Sequence, residues 1–240
     1  MKILKEYIKH QSFQPTWISL FINPFFYIRK GLYKKIKLMA PSLKGSVLDF
    51  GCGRKPYENL FTNATSYTGV DMEVTGHDHS NSKVDKYYDG KTIPFENNYF
   101  DNIFSSEVFE HVDNIDDIIK ELNRVLKKDG KILITVPFVW NEHEIPYDFR
   151  RFSKYGMEYL LKSNGFSIEE THTTTHFTET LLQLKILYVY HLFQSKNKAL
   201  NLVFTLIFIA PINILGGILI SIFPKNKSFY HNTVILAKKV

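Results

Sequence analysis

Residues 47–53, VLDFGCG, decide the fold: an apolar run ends in the carboxylate of Asp49 and passes into Gly51-Cys52-Gly53. Such a run reads as a buried parallel strand entering a tight turn. The same grammar repeats outward from it. Strand-like segments stand at 67–71 (YTGVD), 84–88, 100–105 (FDNIFS), 131–137 (KILITVP), 166–173 and 232–238, the last within NTVILAK. Between them, 114–128 (NIDDIIKELNRVLKK) has helical spacing, with Asn114 as its cap and Asp129-Gly130 behind it. A second helix is expected at 154–164, ended by Asn164-Gly165. Strands alternating with helices predict an α/β fold with a mostly parallel seven-stranded sheet, and a ligand at the carboxyl ends of its strands.

The chain has 240 residues and a formal charge of +6, which divides unevenly. Residues 1–40 hold 8 basic and 1 acidic side chains, 41–180 hold 15 and 23, and 181–240 hold 7 and none. Two cationic flanks around an acidic centre suit an anionic lipid surface, and their Phe, Leu and Ile content without a binding motif argues against nucleic acid. Cys52 is the single cysteine, so no internal disulfide framework is available, and no Cys/His cluster offers a structural zinc site. Lys2, Lys5 and Lys9 are not followed by a secretory h-region, and a cytoplasmic protein is expected. Three parts are expected: a basic, aromatic helical segment at 1–40, interrupted by Pro15 and Pro24; a domain of 41–176 plus 230–240; and a hydrophobic insertion at 177–229.

About eighteen residues beyond Gly53, Asp71 ends the second strand, where a carboxylate can accept hydrogen bonds from both hydroxyls of a ribose. Asp89-Gly90 opens a third element, DGKTIPFENNYFDNIFSSEVFEHV, in which Asp89 can accept from an exocyclic adenine amine. VLDFGCG, then GVDM, then the PF…FD…EHV block resembles the class I S-adenosylmethionine-dependent methyltransferases, in the type 11 branch. The resemblance covers roughly residues 45–172 and implies a Rossmann-like methyltransferase fold with a hydrophobic helical insertion before its last strand. It implies that Asp49, Gly51 and Gly53 cradle the methionine moiety of S-adenosylmethionine, and that Asp71 and Met72 hold the ribose and border the adenine. It further implies that Asp89 and Gly90 face the adenine and that Ser106 lies near the methionine end. The chain departs from the pattern where Arg54-Lys55-Pro56-Tyr57 replaces the usual third glycine, so a late, short first helix is expected. The stretch 73–83 is also too short and polar for the usual second helix. A nicotinamide-dependent oxidoreductase is the chemical rival, but the G-x-G-x-x-G turn it wants is missing.

Methyl transfer to a hydroxyl or carbon acid needs a group that takes a proton. His111 and His143 are the candidates. His111 has the alternative of merely capping or packing the following helix. His143 lies in a crowded loop behind Pro137 with Trp140, Glu142, Glu144, Tyr147, Asp148, Arg150 and Arg151. That loop reads as an acceptor-binding lid, with Trp140, Glu142, Tyr147, Arg150 and Arg151 as its binding residues and the arginines suited to a phosphate or carboxylate. Its plainer reading is a solvated loop with internal ion pairs. His172 with His176, and His77 with His79, lack the further ligands a metal site needs, so no metal is expected.

Residues 199–223 carry no charge and are long enough to cross a bilayer. Because 232–238 must return to the sheet, both ends of the insertion face one side, as Lys196, Lys198, Lys225 and Lys227 agree. Pro211-Ile212-Asn213 and Gly216-Gly217 are expected to break this run into a hairpin on the inner leaflet, packed beside 179–194. A soluble dimerisation element is the alternative. The expected function is methyl transfer to a small-molecule acceptor, lipid-linked glycan or quinone-like, on the cytosolic face of a membrane; the alternative is a membrane-associated scaffold that keeps the fold without the chemistry.

Overall fold

The computed structural model describes residues 2–73 and 82–240. Its helices are α1 (Lys2–Phe13), α2 (Ser19–Ile22), α3 (Phe26–Met39), α4 (Ile115–Val125), α5 (Lys154–Ser163), α6 (Phe177–Phe193), α7 (Lys198–Phe204) and α8 (Ala210–Ile222). Its strands are β1 (Gly45–Phe50), β2 (Ala64–Met72), β3 (Lys86–Tyr88), β4 (Phe100–Ser106), β5 (Leu126–Pro137), β6 (Phe166–Thr173) and β7 (Asn232–Lys239). The chain divides into a sheet unit, Lys35–His172 with Asn232–Val240, and a helical unit, Met1–Lys34 with Thr173–His231.

The strands form one sheet in the order β3-β2-β1-β4-β5-β7-β6, the mostly parallel seven-stranded α/β sheet that the alternating pattern predicts, in the arrangement the resemblance implies. β1 to β5 are parallel, and β7 returns antiparallel to β5 with Leu133 opposite Leu236. The central strands are apolar on both faces because both are covered: Leu48, Phe50, Val70, Ile103, Ile132, Ile134 and Val136 are buried in one core. α4 turns Ile115, Ile118, Ile119, Leu122 and Val125 into it, a stripe at helical spacing worth about 1.5–3 kcal/mol per large side chain. Asp116 and Asp117 place negative charge in its first turn, where the helix dipole favours it.

Local departures have physical causes. The Asn114 side chain does not cap α4; its Nδ2 donates to the Gly90 carbonyl at 3.1 Å and ties the loop after β3 to the helix start. α4 ends at Val125, three residues early, because Leu126 already pairs with Phe100 in the sheet. Asp129, at φ 63°, then forms with Gly130 a β-bulge rather than a helix stop, and the register moves to Asn102 opposite Lys131. After β1 the usual helix is reduced to a single 3₁₀ turn, Glu58–Leu60. Residues 74–81, with His77 and His79, lie outside the described residues.

In the helical unit the expected break inside 199–223 does not occur. Helix runs on from Lys198 to Ile222 through a π turn at Thr205–Ile209. The Ala210 amide reaches back five residues to the Thr205 carbonyl, and this widened turn accommodates Pro211, whose ring would otherwise collide with the preceding turn. Gly216 is a packing glycine: a Cβ there would lie 2.2 Å from Leu182 Cδ2 of α6. The hairpin is therefore α6 against α7–α8, with its bend at residues 194–197. Replacing Gly216 by Val should force α6 and α8 apart and cost about 1–3 kcal/mol, measurable as a lower thermal midpoint; an unchanged midpoint would mean the two helices do not pack at this glycine.

Candidate active site

The strand order reverses between β1 and β4, and in open α/β sheets the ligand crevice lies outside the carboxyl ends at such a point. Ser105 Oγ donates to the Phe50 carbonyl at 3.0 Å and locks these two strand ends together. Gly51 has φ 72°, and a Cβ on it would lie 2.3 Å from Val108, so only glycine lets the loop after β4 settle on the bend. Gly53 has φ 47°, and a Cβ there would meet nothing within 4 Å. The backbone is thus open for close approach.

Asp71, buried at the end of β2, accepts the Gly53 amide at 2.9 Å on Oδ2 and the Met72 amide at 2.8 Å on Oδ1. Each oxygen keeps a further lone pair for a hydroxyl donor. Met72 Cε lies 3.2 Å from where a Gly90 Cβ would stand, so the ends of β2 and β3 meet there. Asp49 is 3% exposed and accepts the Tyr67 hydroxyl at 2.8 Å. Burial pushes its carboxyl up to about 7, with Tyr67 and Lys55 opposing and Asp71 adding to the rise. Asp89 is exposed and its Oδ1 accepts the Lys91 and Thr92 amides, so it closes its own turn. These amides, Thr92 first, hold its carboxyl below the usual range.

A second cluster forms where the loops after β4 and β5 meet. His111 and His143 stack edge to face with ring centroids 4.7 Å apart. His111 Nδ1 faces the Tyr147 carbonyl at 2.8 Å, and His111 Nε2 lies 3.8 Å from both Glu110 Oε1 and Glu144 Oε2. Glu110 has no solvent exposure, and its carboxyl is pushed well up by burial and then by Glu107. Glu144 is pushed up to about 7 by burial, then by Asp148 and Asp71. His143 Nδ1 lies 3.3 Å from Asp148 Oδ2, and its backbone amide donates to the same oxygen at 2.9 Å. Burial disfavours the Asp148 charge, but Arg151 and His143 outweigh it and hold the carboxyl at about 2.

Of the residues expected in the lid, Trp140 is half-buried, while Glu142 and Tyr147 are exposed. Arg151 cannot also grip an acceptor anion. Its guanidinium donates to Asp148, to Arg150 O, to Trp140 O and to Asn141 O, so all of its N–H groups are used inside the loop. Arg150 makes one bond, to Asp113 O at 3.0 Å. Ser106 Oγ pairs with Thr135 Oγ1 at 2.9 Å. Sequence reasoning passed over Tyr67, whose hydroxyl satisfies Asp49, and Glu110, whose adjacency to His111 was the available signal.

A glycine bend, a second-strand carboxylate and a Met/Gly edge fit a nucleoside with an amino-acid tail. Residues 48–134 match the family model described as a methyltransferase domain. A curated relative, the ubiquinone biosynthesis O-methyltransferase of Pelagibacter ubique, is 31% identical over 147 residues, 57% of this chain. The chain spans only 59% of that relative's length. An S-adenosylmethionine-dependent methyltransferase from Aquifex aeolicus matches in fold, with TM-score 0.51 and 14% identity over 97% of both chains. So does Haemonchus contortus phosphoethanolamine N-methyltransferase 2 in complex with S-adenosyl-L-methionine, with TM-score 0.53 and 20% identity over 95% of this chain and 58% of that one. The sheet is that of the α/β class I methyltransferase fold. Within residues 48–134 the chain is similar to the methyltransferase-domain family, in line with the resemblance that its motifs carry.

Asp49 also sets a pH dependence. Its folded carboxyl titrates near 7 against about 4 unfolded, so it favours the fold below pH 4, and that contribution is lost as pH rises to 7. Without cofactor, the thermal midpoint should fall between pH 5 and 8 by roughly 5–10 °C more in the native protein than in Asp49→Asn. Parallel curves would show that Asp49 ionises normally.

Proposed function

We propose that this chain transfers the methyl group of S-adenosylmethionine to an oxygen or carbon of a small-molecule acceptor, lipid-linked or quinone-like. The observation that carries this reading is that the Gly53–Asp71 bend and a histidine–carboxylate cluster of His111, His143, Glu110 and Glu144 both stand at the carboxyl edge of the sheet. S-adenosylmethionine, when bound, supplies an electrophilic methyl on a sulfonium. Asp71 accepts from the ribose hydroxyls, and Met72 with Gly90 borders the adenine. Asp49, Gly51 and Gly53 face the methionine end, together with Ser106. Asp89, with Oδ1 held by its turn amides, would meet the adenine amine with Oδ2. His111 or His143 would take the acceptor's proton. Arg150, Trp140, Glu142 and Tyr147 border the acceptor, and Arg151 holds their loop. The name of the Pelagibacter relative supports a quinone-like acceptor.

The helical unit supports a membrane-borne acceptor, because its polarity is inverted. Gln183 and Asn213 are fully buried, bonding Tyr27 N, Pro24 O and Leu20 O, while Phe208, Leu215, Ile218 and Ile222 are each more than half exposed. The apolar helix Lys198–Ile222 has 25 residues and a mean hydropathy of 2.4. Its length, about 37 Å, spans a bilayer, but Lys196 and Lys198 at the hairpin bend oppose burial of that end. The hairpin therefore lies along an anionic inner leaflet, with apolar side chains immersed and lysines at the headgroups.

Incubation with radiolabelled S-adenosylmethionine and a lipid extract of the host should move label into the organic phase; cofactor binding without any transfer would favour a non-catalytic scaffold. Asp71→Ala should weaken calorimetric cofactor affinity roughly 100-fold, since buried hydroxyls lose a charged acceptor. Equal affinity would remove Asp71 from the site. On cell fractionation without detergent at physiological salt, the protein should pellet with membranes, and full recovery in the supernatant contradicts the leaflet placement.

A further inference from the structure

We propose that Glu110, His111, His143 and Glu144 form a binding site for one divalent first-row transition-metal ion. The donor atoms of Glu110, His111 and His143 all lie within 4.8 Å of one another, and Glu144 Oε2 stands 3.8 Å from His111 Nε2. Ligands around a tetrahedral ion at about 2.1 Å stand about 3.4 Å apart. The 3.8 Å separations therefore need to close by a few tenths of an ångström.

Three further observations point to a cation. Glu110 is fully buried, and neither of its carboxylate oxygens has a hydrogen-bond partner among the described residues, while one is directed at His111 Nε2. A buried carboxylate is kept only if something repays its desolvation; Glu110 faces the His111 ring at 3.8 Å, with Arg151 acting in its favour and Glu107 and Asp148 against it. Both rings also carry the outer support that metal-binding histidines use. His111 Nδ1 is held on the Tyr147 carbonyl, and His143 Nδ1 lies between Asp148 Oδ2 and the Asn141 carbonyl, each at 3.3 Å. With Nδ1 of His111 turned to the Tyr147 carbonyl, its Nε2 is the nitrogen that faces Glu110 and Glu144. Glu107 is outside the set: its carboxylate accepts Thr135 and Asn232. Two imidazoles with carboxylates select Zn²⁺, Mn²⁺, Fe²⁺ or Co²⁺ over Mg²⁺.

This rests on the reading of the cluster as the acceptor's end of the site: an ion on both rings would replace them as bases and itself favour the acceptor's deprotonation, and its test is independent of methyl transfer. Titration of the whole protein with Co²⁺, followed by visible absorption and by calorimetry, should show saturable binding of one ion per chain. His143→Ala and Glu110→Gln should each weaken that affinity at least roughly tenfold, and both should still bind S-adenosylmethionine. His143 sits on a half-buried loop, so its variant tests the site even if Glu110→Gln does not fold. No saturable binding up to millimolar Co²⁺, or affinity that survives either folded variant, overturns the proposal. Cofactor binding without metal binding would remove the metal site and leave the methyltransferase reading intact; metal binding without cofactor binding would do the reverse.

Discussion

The Asp71 carboxylate, holding the amide of Gly53 at the carboxyl edge of the sheet, is the contact on which the site depends. It converts a flexible glycine bend after β1 into a fixed rim whose far side stays open. The same edge gathers further buried acids, Asp49 and Glu110, where solvation is lost and ordinary ionisation becomes costly. Each is answered differently: Asp71 by backbone amides, Asp49 by the Tyr67 hydroxyl, and Glu110 by the edge of an imidazole pair. A fold that only needed stability would place leucine or methionine at such positions.

The sheet was legible because buried parallel strands write themselves as apolar runs, and 47–50, 100–105 and 131–137 did so without ambiguity. The glycine bend and the acid eighteen residues beyond it were legible for the same reason, since few residue types tolerate those backbone positions. What pattern reading missed was settled by contacts distant in sequence. Asp129-Gly130 reads equally as a helix stop or a bulge until Leu126 is seen paired with Phe100. Arg151 looks like a free cation until Asp148 is found three residues before it, closing a two-pronged bond. Tyr67 carries no motif at all; only strand pairing brings its hydroxyl to Asp49.

The helical part follows another rule. Proline and paired glycines in an apolar run normally announce a break, yet here Pro211 follows a π turn and Gly216 receives a leucine side chain. The bend lies instead in the polar stretch at residues 194–197, where a loop costs least. The N-terminal segment and the insertion, which read as separate pieces, build one unit around shared polar contacts such as Gln183 with Tyr27 N. In that unit Gln183, Asn213 and Thr180 are turned inward, and Leu215, Ile218 and Ile222 outward.

β7 enters the sheet between β5 and β6, and the chain that supplies it has first traversed the whole helical hairpin. During synthesis the ribosome thus releases β5 and β6 with the slot between them vacant, and the partners of α2 and α3 in the helical unit arrive equally late. Both units are complete only once residues 198–239 have emerged. A nascent chain of this design must keep an unpaired strand edge and an apolar hairpin from pairing wrongly until β7 emerges, which makes the interval before β7 its most aggregation-exposed stage.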